Sequence, residues 1–580
     1  MLKYVFWSFP FLISFATASG ELNENFYVKL FLFELIFIIM FVWRTLQGKK
    51  VRDFNVSIGV SDILILCLLV VCSYFYIDLY SNIIENSIFL IYLLFYFSSR
   101  LWSGEKTVNI LIDIVPLVIV FHLLFCALQY FSILPNYNSY FKIGSSFGNP
   151  DMLSAYLAVL LPFCYMSGKW KLFRIIVVVL TISLFFFIQA RTAIATTALT
   201  ILLYYVCRMK VSKMSILIGT MMLILGIVLL IHWHTISVLG RFYIWIVALS
   251  MMVSKPLGWG PYAFEKYYPE YQSKFTIEHP EIANALNYDI VHSPYNEFLN
   301  IAVTIGVVGL LFYLLFTIFT LITAYRIKSL LLYPLLAFQF VSLSYFPFRI
   351  IPLTAIYIIC CSIVIGATNA PFRVCIIYSF SKLKILAFCV LIPVIICFSL
   401  GLFSFGYWRK AIEQSSDIET YSKACESFEK SYPFLKNNGR FLISYAELQY
   451  RMGNKKKMSL MMYRAEHYFS DIAFLHNLSM LYEEDGKICE AKRIMDLATN
   501  MSPSNINITF AQIQLLQRVG DVKQAYLTGK CLLRKIYSRK VILKQQDRYV
   551  LKKINEYINK MEENEVKLAE EKWDLNKEHK

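Results

Sequence analysis

A histidine, His292, stands where a long polar stretch of the sequence returns to an apolar block. Only histidine titrates near physiological pH without a perturbed environment, so this imidazole is a natural proton acceptor for a hydroxyl nucleophile. The competing interpretation is structural, because a lone histidine more often packs than reacts. His232, His234 and His279 lie nearby in the sequence and share that ambiguity. No two of them have the HExxH spacing of a zinc site, so the sequence predicts no metal centre.

An arginine, Arg191, stands between two apolar blocks in the run Gln189–Ala190–Arg191–Thr192. A charged side chain at the end of a membrane span is costly unless it is paired or faces water, so its default interpretation is functional. The alternative is an arginine that snorkels to the interface and only marks the topology. The charge pattern of the loops puts Arg191 on the face where arginine is rare, which favours a functional role.

The long polar stretch opens with Gly240–Arg241 and is rich in aromatic residues. Rings near a lipid–water boundary commonly form an interface belt. The same rings could equally stack on the faces of sugars. The candidates for sugar contacts are Trp245, Tyr262 and Phe264.

These residues belong to a chain of 580 residues, of which 58% are hydrophobic and 16% are charged. Soluble domains usually carry about 25% charged residues. The apolar residues are concentrated in long blocks that end near residue 406, and most charges lie beyond that point. The composition excludes a purely soluble enzyme. It indicates a polytopic membrane domain at residues 1–406 and a soluble tail.

Apolar blocks long enough to cross a membrane, which takes about 20 residues of helix, recur along residues 1–406. They predict an all-α bundle of about 12 to 13 spans. The blocks are 2–19, 26–43, 59–78, 81–98, 107–131, 151–167, 171–189, 192–207, 214–232, 293–324, 329–346, 350–367 and 383–406. The first block resembles a secretory signal, since Lys3 lies at its start and the small residues Ala16–Thr17–Ala18–Ser19–Gly20 lie at its end. Cleavage therefore stays open, although retention as a first helix is favoured.

The positive charges of the loops predict the orientation, because Lys and Arg beside a span resist translocation. One set of alternate loops carries most of them and is assigned to the cytoplasm. The short connections on the opposite face carry only Lys142, Arg191 and Arg349, and the long connection at 233–292 is on that face too. In a bacterial inner membrane this face is periplasmic. The last span exits outward, so we expect the tail in the same compartment as the long loop.

The net charge of +17 has a topological explanation. Its Lys and Arg residues divide between these loops and a tail of mixed sign, so nucleic acid is not an expected partner. Three cysteines of the tail, Cys425, Cys489 and Cys531, have no CxxC spacing. The sequence therefore indicates neither a zinc site nor a disulfide framework.

The tail contains glycines at a fixed period. Gly453, Gly486 and Gly520 are separated by 33 and 34 residues, and each lies between two amphipathic helical patterns. This spacing resembles the tetratricopeptide repeat, and an irregular helical bundle is the alternative. We expect an α-solenoid at 407–560, whose curved surface would bind a partner or an extended polymer, and a charged tail at 561–580.

The polar motifs of residues 140–325 occur in a characteristic order. They are Ser146–Phe147–Gly148–Asn149–Pro150–Asp151, Arg191–Thr192, Gly240–Arg241 with Trp245, Pro256–Leu257–Gly258–Trp259–Gly260 with Phe264, and His292 through Tyr295–Asn296 to Gly306. Their order, spacing and common sidedness resemble the O-antigen ligase and polymerase superfamily. The resemblance implies a membrane domain with a C-type glycosyltransferase fold. It also implies transfer of a preassembled glycan from a polyprenyl diphosphate carrier to an acceptor hydroxyl. The family typically has twelve spans, so a thirteenth departs from its pattern.

The resemblance implies a role for each basic residue. Arg191 and Arg241 would hold the diphosphate, since a planar guanidinium meets phosphate oxygens with two parallel hydrogen bonds. His292 would take the proton of the acceptor, which predicts inversion at the anomeric carbon. The two arginines would supply the charge that Mg²⁺ provides elsewhere, so we expect no metal and no other cofactor. Further candidates for orienting the sugar or the diphosphate are Asn149, Tyr295 and Asn296.

Three acceptors remain open: a lipid A-core sugar, the end of a growing glycan, or a Ser or Thr hydroxyl of a protein. The repeat tail slightly favours a large acceptor or a periplasmic protein partner. A different class of function is a transporter of lipid-linked sugars with a scaffold tail. Transporters tend to place broken helices and charges at mid-membrane and to repeat their spans. Here the polar motifs gather on one face, which favours transfer chemistry.

Overall fold

The computed structural model describes most of the chain. The described residues are 2–17, 24–47, 53–75, 83–103, 107–136, 138, 140–166, 169–208, 221, 235–260, 263–280, 291–367, 373–503, 505–538 and 548–563. Tyr262 and most of the predicted span at 214–232 lie outside them.

Within this part of the chain the structure is almost entirely helical. The helices are α1 (Leu2–Ile13), α2 (Glu24–Gln47), α3 (Val60–Phe75), α4 (Ile83–Trp102), α5 (Thr107–Tyr130), α6 (Pro150–Leu160), α7 (Pro162–Tyr165), α8 (Lys171–Phe187), α9 (Arg191–Arg208), α10 (Thr235–Ser254), α11 (Ala263–Glu278), α12 (Glu297–Arg326), α13 (Leu332–Ser342), α14 (Ile351–Gly366), α15 (Phe380–Gln414), α16 (Tyr421–Leu435), α17 (Gly439–Arg451), α18 (Lys455–Ala465), α19 (Ile472–Glu484), α20 (Ile488–Met501), α21 (Ile506–Arg518), α22 (Val522–Ser538) and α23 (548–563). Short 3₁₀ turns occur at Ser145–Phe147, Pro347–Arg349 and Ile418–Thr420.

The predicted all-α class is confirmed, with one addition. Two strands, β1 (Asp53–Gly59) and β2 (Arg373–Ser379), pair antiparallel, and Val56 lies opposite Ile376. Each strand leads directly into a helix, α3 and α15 respectively. The predicted spans that begin at 59 and 383 are thus entered from a small sheet.

The chain divides into two compact units. The first, here called the membrane unit, comprises Met1–Val238, Lys255–Pro261 and Ser293–Asn437. The second, here called the loop–repeat unit, comprises Leu239–Ser254, Tyr262–His292 and Asn438–Lys580. Most of the long polar loop is therefore packed together with the helical repeats.

Four described helices are long and apolar enough to cross a membrane. They are Phe26–Trp43, Thr107–Tyr130, Glu297–Arg326 and Leu391–Gln414. Other predicted spans form shorter apolar helices. The block at 151–167, for example, divides into α6 and α7 because Pro162 starts a new helix, where its missing N–H is tolerated. Apolar length in the sequence thus predicted the multi-pass character, but it did not reveal the breaks within individual blocks.

Aromatic side chains form part of the core of the membrane unit. The rings of Phe9, Phe33 and Phe95, carried by α1, α2 and α4, lie with centroids 5.1–5.7 Å apart. Tilted and edge-to-face rings at this spacing add to the stabilisation that burial provides. This cluster fixes the packing of the first helices, and the retention of α1 stays a prediction.

The predicted helical repeats are confirmed as three antiparallel helix pairs: α17 with α18, α19 with α20, and α21 with α22. Gly453, Gly486 and Gly520 form the turns within the pairs, with φ of +75°, +73° and +83°. A residue with a Cβ is strained at such angles, which explains why glycine recurs there. The array ends on α23, whose Ile554 and Ile558 pack into the cluster formed by α21 and α22.

The start of each repeat is marked by a second periodic signal. The side chains of Asn438, Asp471 and Asn505 accept hydrogen bonds from the backbone N–H three residues later, at 3.1, 2.7 and 3.3 Å. These are N-caps, which satisfy one of the free amide groups of a helix start. These caps recur with the same spacing as the glycines, 33 and 34 residues.

Candidate active site

Three segments of the membrane unit meet at a polar turn, residues 343–349. Thr192, at the start of α9, has its hydroxyl 2.9 Å from the hydroxyl of Ser344. Asn296 donates from its Nδ2 to the carbonyl oxygen of Leu343 at 3.0 Å and caps α12 through the N–H of Leu299. The structure therefore brings Asn296 and Thr192, the residue that follows Arg191, to the same turn.

Two charged residues that the motifs did not single out lie at this turn: Arg349 belongs to it, and Glu297 contacts it from the start of α12. Glu297 is buried and accepts hydrogen bonds from the Nδ2 of Asn300, at 2.9 Å, and from the N–H of Phe348, at 3.3 Å. The guanidinium of Arg349 lies over the ring of Phe346 at 5.6 Å. In the sequence, Arg349 indicates only the topology. Burial of a carboxylate with two hydrogen-bond donors fixes the geometry of the turn.

Tyr295 adopts a left-handed backbone conformation, with φ of +48°. Its ring lies 5.8 Å from the ring of Phe346 and is partly exposed. A non-glycine residue at positive φ is uncommon and often occurs where surrounding contacts hold a functional loop. The predicted role of Tyr295 in substrate orientation is compatible with this position.

The Pro256–Gly260 motif fills a break in α12. Trp259 and Gly260 donate from their backbone N–H groups to the carbonyls of Val303 and Thr304, both at 2.8 Å, and Val307 donates to Pro256, also at 2.8 Å. Gly306 has φ of +78°, and a Cβ there would lie 2.4 Å from the carbonyl carbon of Leu257. The glycines therefore allow the two backbones to touch. This contact anchors the Pro256–Gly260 segment, which follows α10, on α12.

The predicted substrate residue Asn149 is a helix cap. Its side-chain oxygen accepts from the N–H of Asp151 at 2.8 Å, and its side chain is partly exposed. The preceding loop is fixed by a buried polar cluster. Lys29 donates to the carbonyl of Ser146 at 2.8 Å, and His122 lies 2.9 Å from the hydroxyl of Ser145. The motif analysis had not found Lys29 and His122, because both lie in apolar blocks far from it in sequence.

In the loop–repeat unit, His292 lies beside a carboxylate. Its Nδ1 is 3.6 Å from Oε1 of Glu265, and the same oxygen is 3.4 Å from Nη2 of Arg440. The side chains of His292 and Arg440 are each 48% exposed, whereas that of Glu265 is 17% exposed. A half-exposed imidazole with an acidic neighbour is suited to accept a proton from a bound hydroxyl.

Arg241 and His292 lie near opposite ends of α11 in the loop–repeat unit. Helix α10 packs antiparallel to α11: Tyr243 contacts Thr276 at 3.2 Å, and Tyr271 donates to Ser254 at 2.6 Å. Arg241, near the start of α10, therefore lies close to the C-terminal half of α11. His292 instead lies beside the first turn of α11. These levels are roughly 15 Å apart along a helix that rises 1.5 Å per residue. A shared site for Arg191, Arg241 and His292 stays a prediction.

The aromatic candidates differ in their exposure. Phe264 is 3% exposed and stacks on Tyr268 with a centroid distance of 4.5 Å, so its ring serves packing and does not offer a face to a sugar. Trp245 is partly exposed and lies 5.3 Å from the ring of Phe242. Contact with a sugar stays a prediction for Trp245.

Helix α11 is docked on the repeats. Lys266 donates from its Nζ to the carbonyl oxygen of Glu466, and Gln272 donates from its Nε2 to that of Met501 at 2.9 Å. Burial lowers the pKa of the Lys266 ammonium, although Glu466 and Glu270 act in the opposite direction. Part of the repeat surface that we expected to bind a partner is therefore occupied by the chain's own loop.

Within the described residues, no group of three or more His, Cys, Asp or Glu side chains is placed to hold a metal ion.

The apolar helices and the repeats define a multi-pass membrane protein with a helical-repeat domain. Residues 176–314 match a family model described as O-Antigen ligase. The match begins within α8 and ends within α12, so it includes Arg191, Arg241, His292 and Asn296 but neither Asn149 nor the repeats. The resemblance inferred from the motifs is confirmed for this part of the chain. The match supports a glycosyltransferase-like role of the ligase and polymerase type for this segment.

Among solved structures, the crystal structure of the yeast Tom70 aligns with this chain. The alignment covers 81% of this chain and 96% of the Tom70 chain. The two share 11% sequence identity with a TM-score of 0.20, which is too low to indicate a common fold. No curated protein matches the chain.

Proposed function

We propose that this protein transfers a glycan from a polyprenyl diphosphate carrier to an acceptor hydroxyl at the periplasmic face of the bacterial inner membrane. The observation that carries the proposal is the O-antigen ligase match, because it spans the two arginines, Arg191 and Arg241, and the His292–Glu265 contact. Both features use residue types that glycan transfer from a diphosphate requires.

On the donor side, Arg191 and Arg241 bind the diphosphate. As the bond between the anomeric carbon and the phosphate oxygen breaks, negative charge grows on the leaving group, and guanidinium groups stabilise it through paired hydrogen bonds. The start of α9 supports this role for Arg191, since helix N-termini favour anions. Asn296, Tyr295 and Asn149 orient the sugar or the diphosphate, and Trp245 offers a partly exposed ring.

On the acceptor side, His292 removes the proton from the attacking hydroxyl. The new bond between the acceptor oxygen and the anomeric carbon forms as the diphosphate leaves, and the proton passes to the imidazole. A single displacement of this kind inverts the anomeric configuration. The arginines neutralise the leaving group in place of a divalent cation.

The docking of α11 bears on the compartment of the repeats. Its hydrogen bonds to the carbonyls of Glu466 and Met501 require the long loop and the repeats to share one side of the membrane. This supports the assignment that the loop charges suggested, in which both face the periplasm.

The acceptor is a lipid A-core sugar in this proposal. A strain without the protein would then accumulate uncapped core together with lipid-linked polymer. Single-unit glycan on the core would instead indicate a polymerase, and bare proteins would indicate protein O-glycosylation. Unchanged glycans in all three fractions would contradict glycan transfer and leave the transport of lipid-linked sugars as the remaining class.

Complementation of that strain tests the residues. The wild-type chain and a His279→Ala variant should restore the glycan, whereas Arg191→Ala and His292→Ala should not, at equal protein levels in the membrane. His279 is a matched control because it is exposed and belongs to the same loop. Full restoration by His292→Ala would refute its role as the base.

A further inference from the structure

One carboxylate links the histidine of the loop to the repeat array. Oε1 of Glu265 lies 3.6 Å from Nδ1 of His292 and 3.4 Å from Nη2 of Arg440. Glu265 is the least exposed of the three, so its charge is screened less by water than those of its neighbours. The charge of Glu265 therefore acts on the imidazole of His292 more strongly than that of a fully exposed carboxylate would.

The backbone around Glu265 is fixed by the repeats. The next residue, Lys266, donates to the carbonyl of Glu466, and two turns later Gln272 donates to the carbonyl of Met501. Gln272 is 2% exposed. Because these contacts hold α11 on both sides of its middle, Glu265 keeps its place only while α11 stays docked.

Arg440 is itself held in an unusual location. It lies in the first turn of α17, directly after the capping residue Asn438 and Gly439, where the helix dipole disfavours a positive charge. Two contacts offset this cost: the carboxylate of Glu265 and the ring of Phe469, whose centroid is 5.8 Å from the guanidinium carbon. The arginine thus clamps Glu265 from the side of the repeats.

We infer that Glu265 positions the imidazole of His292 for glycan transfer and that Arg440 of the repeat array holds Glu265 in place. This inference rests on the proposed function. The carboxylate favours the tautomer with its proton on Nδ1, which leaves the lone pair on Nε2 to accept the proton of the acceptor hydroxyl. It then stabilises the imidazolium that forms. At 3.6 Å the contact is longer than a hydrogen bond, and contacts of this kind commonly tighten when substrate binds.

Glu265 acts through His292, so it is a positioning residue. The repeat array consequently contributes to the rate of transfer as well as to the capture of a partner. No isolated motif in the sequence shows this link, because Glu265 and Arg440 are 175 residues apart.

The test measures kcat and the KM for donor with the purified full-length protein, a lipid-linked diphosphate donor and its acceptor. Glu265→Gln should lower kcat by roughly 10- to 100-fold and change the donor KM by less than about twofold. Glu265→Asp keeps the charge and should recover part of the rate. Glu278→Gln, an exposed position at the end of the same helix, should behave as wild type.

Arg440 is tested in the same assay. Arg440→Gln should lower kcat by about 3- to 10-fold, and Arg440→Lys should lose less, because it keeps a charge near the carboxylate. The matched control is Arg451→Gln, at the other end of α17, where Arg451 pairs with Glu447 at the surface. This control should leave kcat unchanged.

A double variant separates positioning from general damage. If Glu265 acts through the imidazole, Glu265→Gln combined with His292→Ala should be no slower than His292→Ala alone. A further loss in the double variant, or a loss of donor binding in Glu265→Gln, would overturn the inference. Wild-type kcat in Glu265→Gln would overturn it as well while leaving an inactive His292→Ala in agreement with the proposed function. An active His292→Ala would instead refute the proposed function itself.

Discussion

Gln272 in the long polar loop donates a hydrogen bond of 2.9 Å to the backbone carbonyl of Met501, 229 residues later in the chain. The donor lies on α11 and the acceptor at the end of α20, in the middle of the repeat array. Since Gln272 is almost completely buried, this bond belongs to a packed interface within the loop–repeat unit. Helix α11 of the long loop therefore packs against the repeats.

Replacing Gln272 tests this docking. In Gln272→Leu the carbonyl of Met501 loses its donor while it stays buried, which we expect to destabilise the folded chain by about 1–3 kcal/mol. Thermal unfolding of the purified protein should show a lower midpoint. Gln524→Leu makes the same change at an exposed position of α22 and should leave the midpoint where it is. Equal midpoints for both variants would contradict the docked arrangement.

Native cysteines report the compartment of the repeats. Cys489 and Cys531 are exposed in the repeat array, and Cys207 is exposed at the end of α9 that we predict to be cytoplasmic. In variants that keep one of these three, a membrane-impermeant maleimide should label Cys489 and Cys531 in intact spheroplasts. Cys207 should react only after lysis.

Labelling of Cys489 only after lysis would place the repeats in the cytoplasm. Because α11 is hydrogen-bonded to the repeats, that result would move the long loop and His292 to the same side. Glycan transfer at the periplasmic face would then lose its base.

Gly306 is predicted to be intolerant of a side chain. Gly306→Ala puts a Cβ against the backbone of Leu257 at a positive φ, and we expect a loss of at least about 2 kcal/mol. Gly406→Ala, where a Cβ would meet nothing within 4 Å, should be neutral or stabilising by up to about 1 kcal/mol. Detergent-solubilised variants compared by thermal unfolding check this difference. A wild-type midpoint for Gly306→Ala would show that the Pro256–Gly260 contact does not bear on stability.

Local patterns predicted much of the fold. The glycines at 453, 486 and 520 indicated the helix pairs. A positive φ is required of a single residue, and glycine at that position reveals the requirement in the sequence. The apolar blocks indicated a membrane bundle for a similar reason, since hydropathy is a property of each segment by itself. The break at Gly306 could not be predicted in this way, because it depends on the backbone of a loop some 50 residues earlier.

The candidate site shows the same limit. Residue type and sidedness were sufficient to select Arg191, Asn296 and His292. Glu265 and Arg440 were not selected, because their importance comes from a contact between a loop and a repeat. Phe264 was selected for its aromatic ring, but packing on Tyr268 uses that ring. Burial of this kind is decided by tertiary structure and has no signature in a single segment.

The most direct test of the account measures donor binding and glycan transfer separately, with purified full-length protein and a lipid-linked diphosphate donor. Arg191→Ala should weaken donor binding by at least about 10-fold, since it removes a paired contact to the diphosphate. His292→Ala should keep donor binding and lower the rate of transfer by about 100-fold or more. The controls Arg409→Ala and His279→Ala, both at exposed positions, should match wild type. Donor binding unchanged in Arg191→Ala together with normal transfer by His292→Ala would contradict the account.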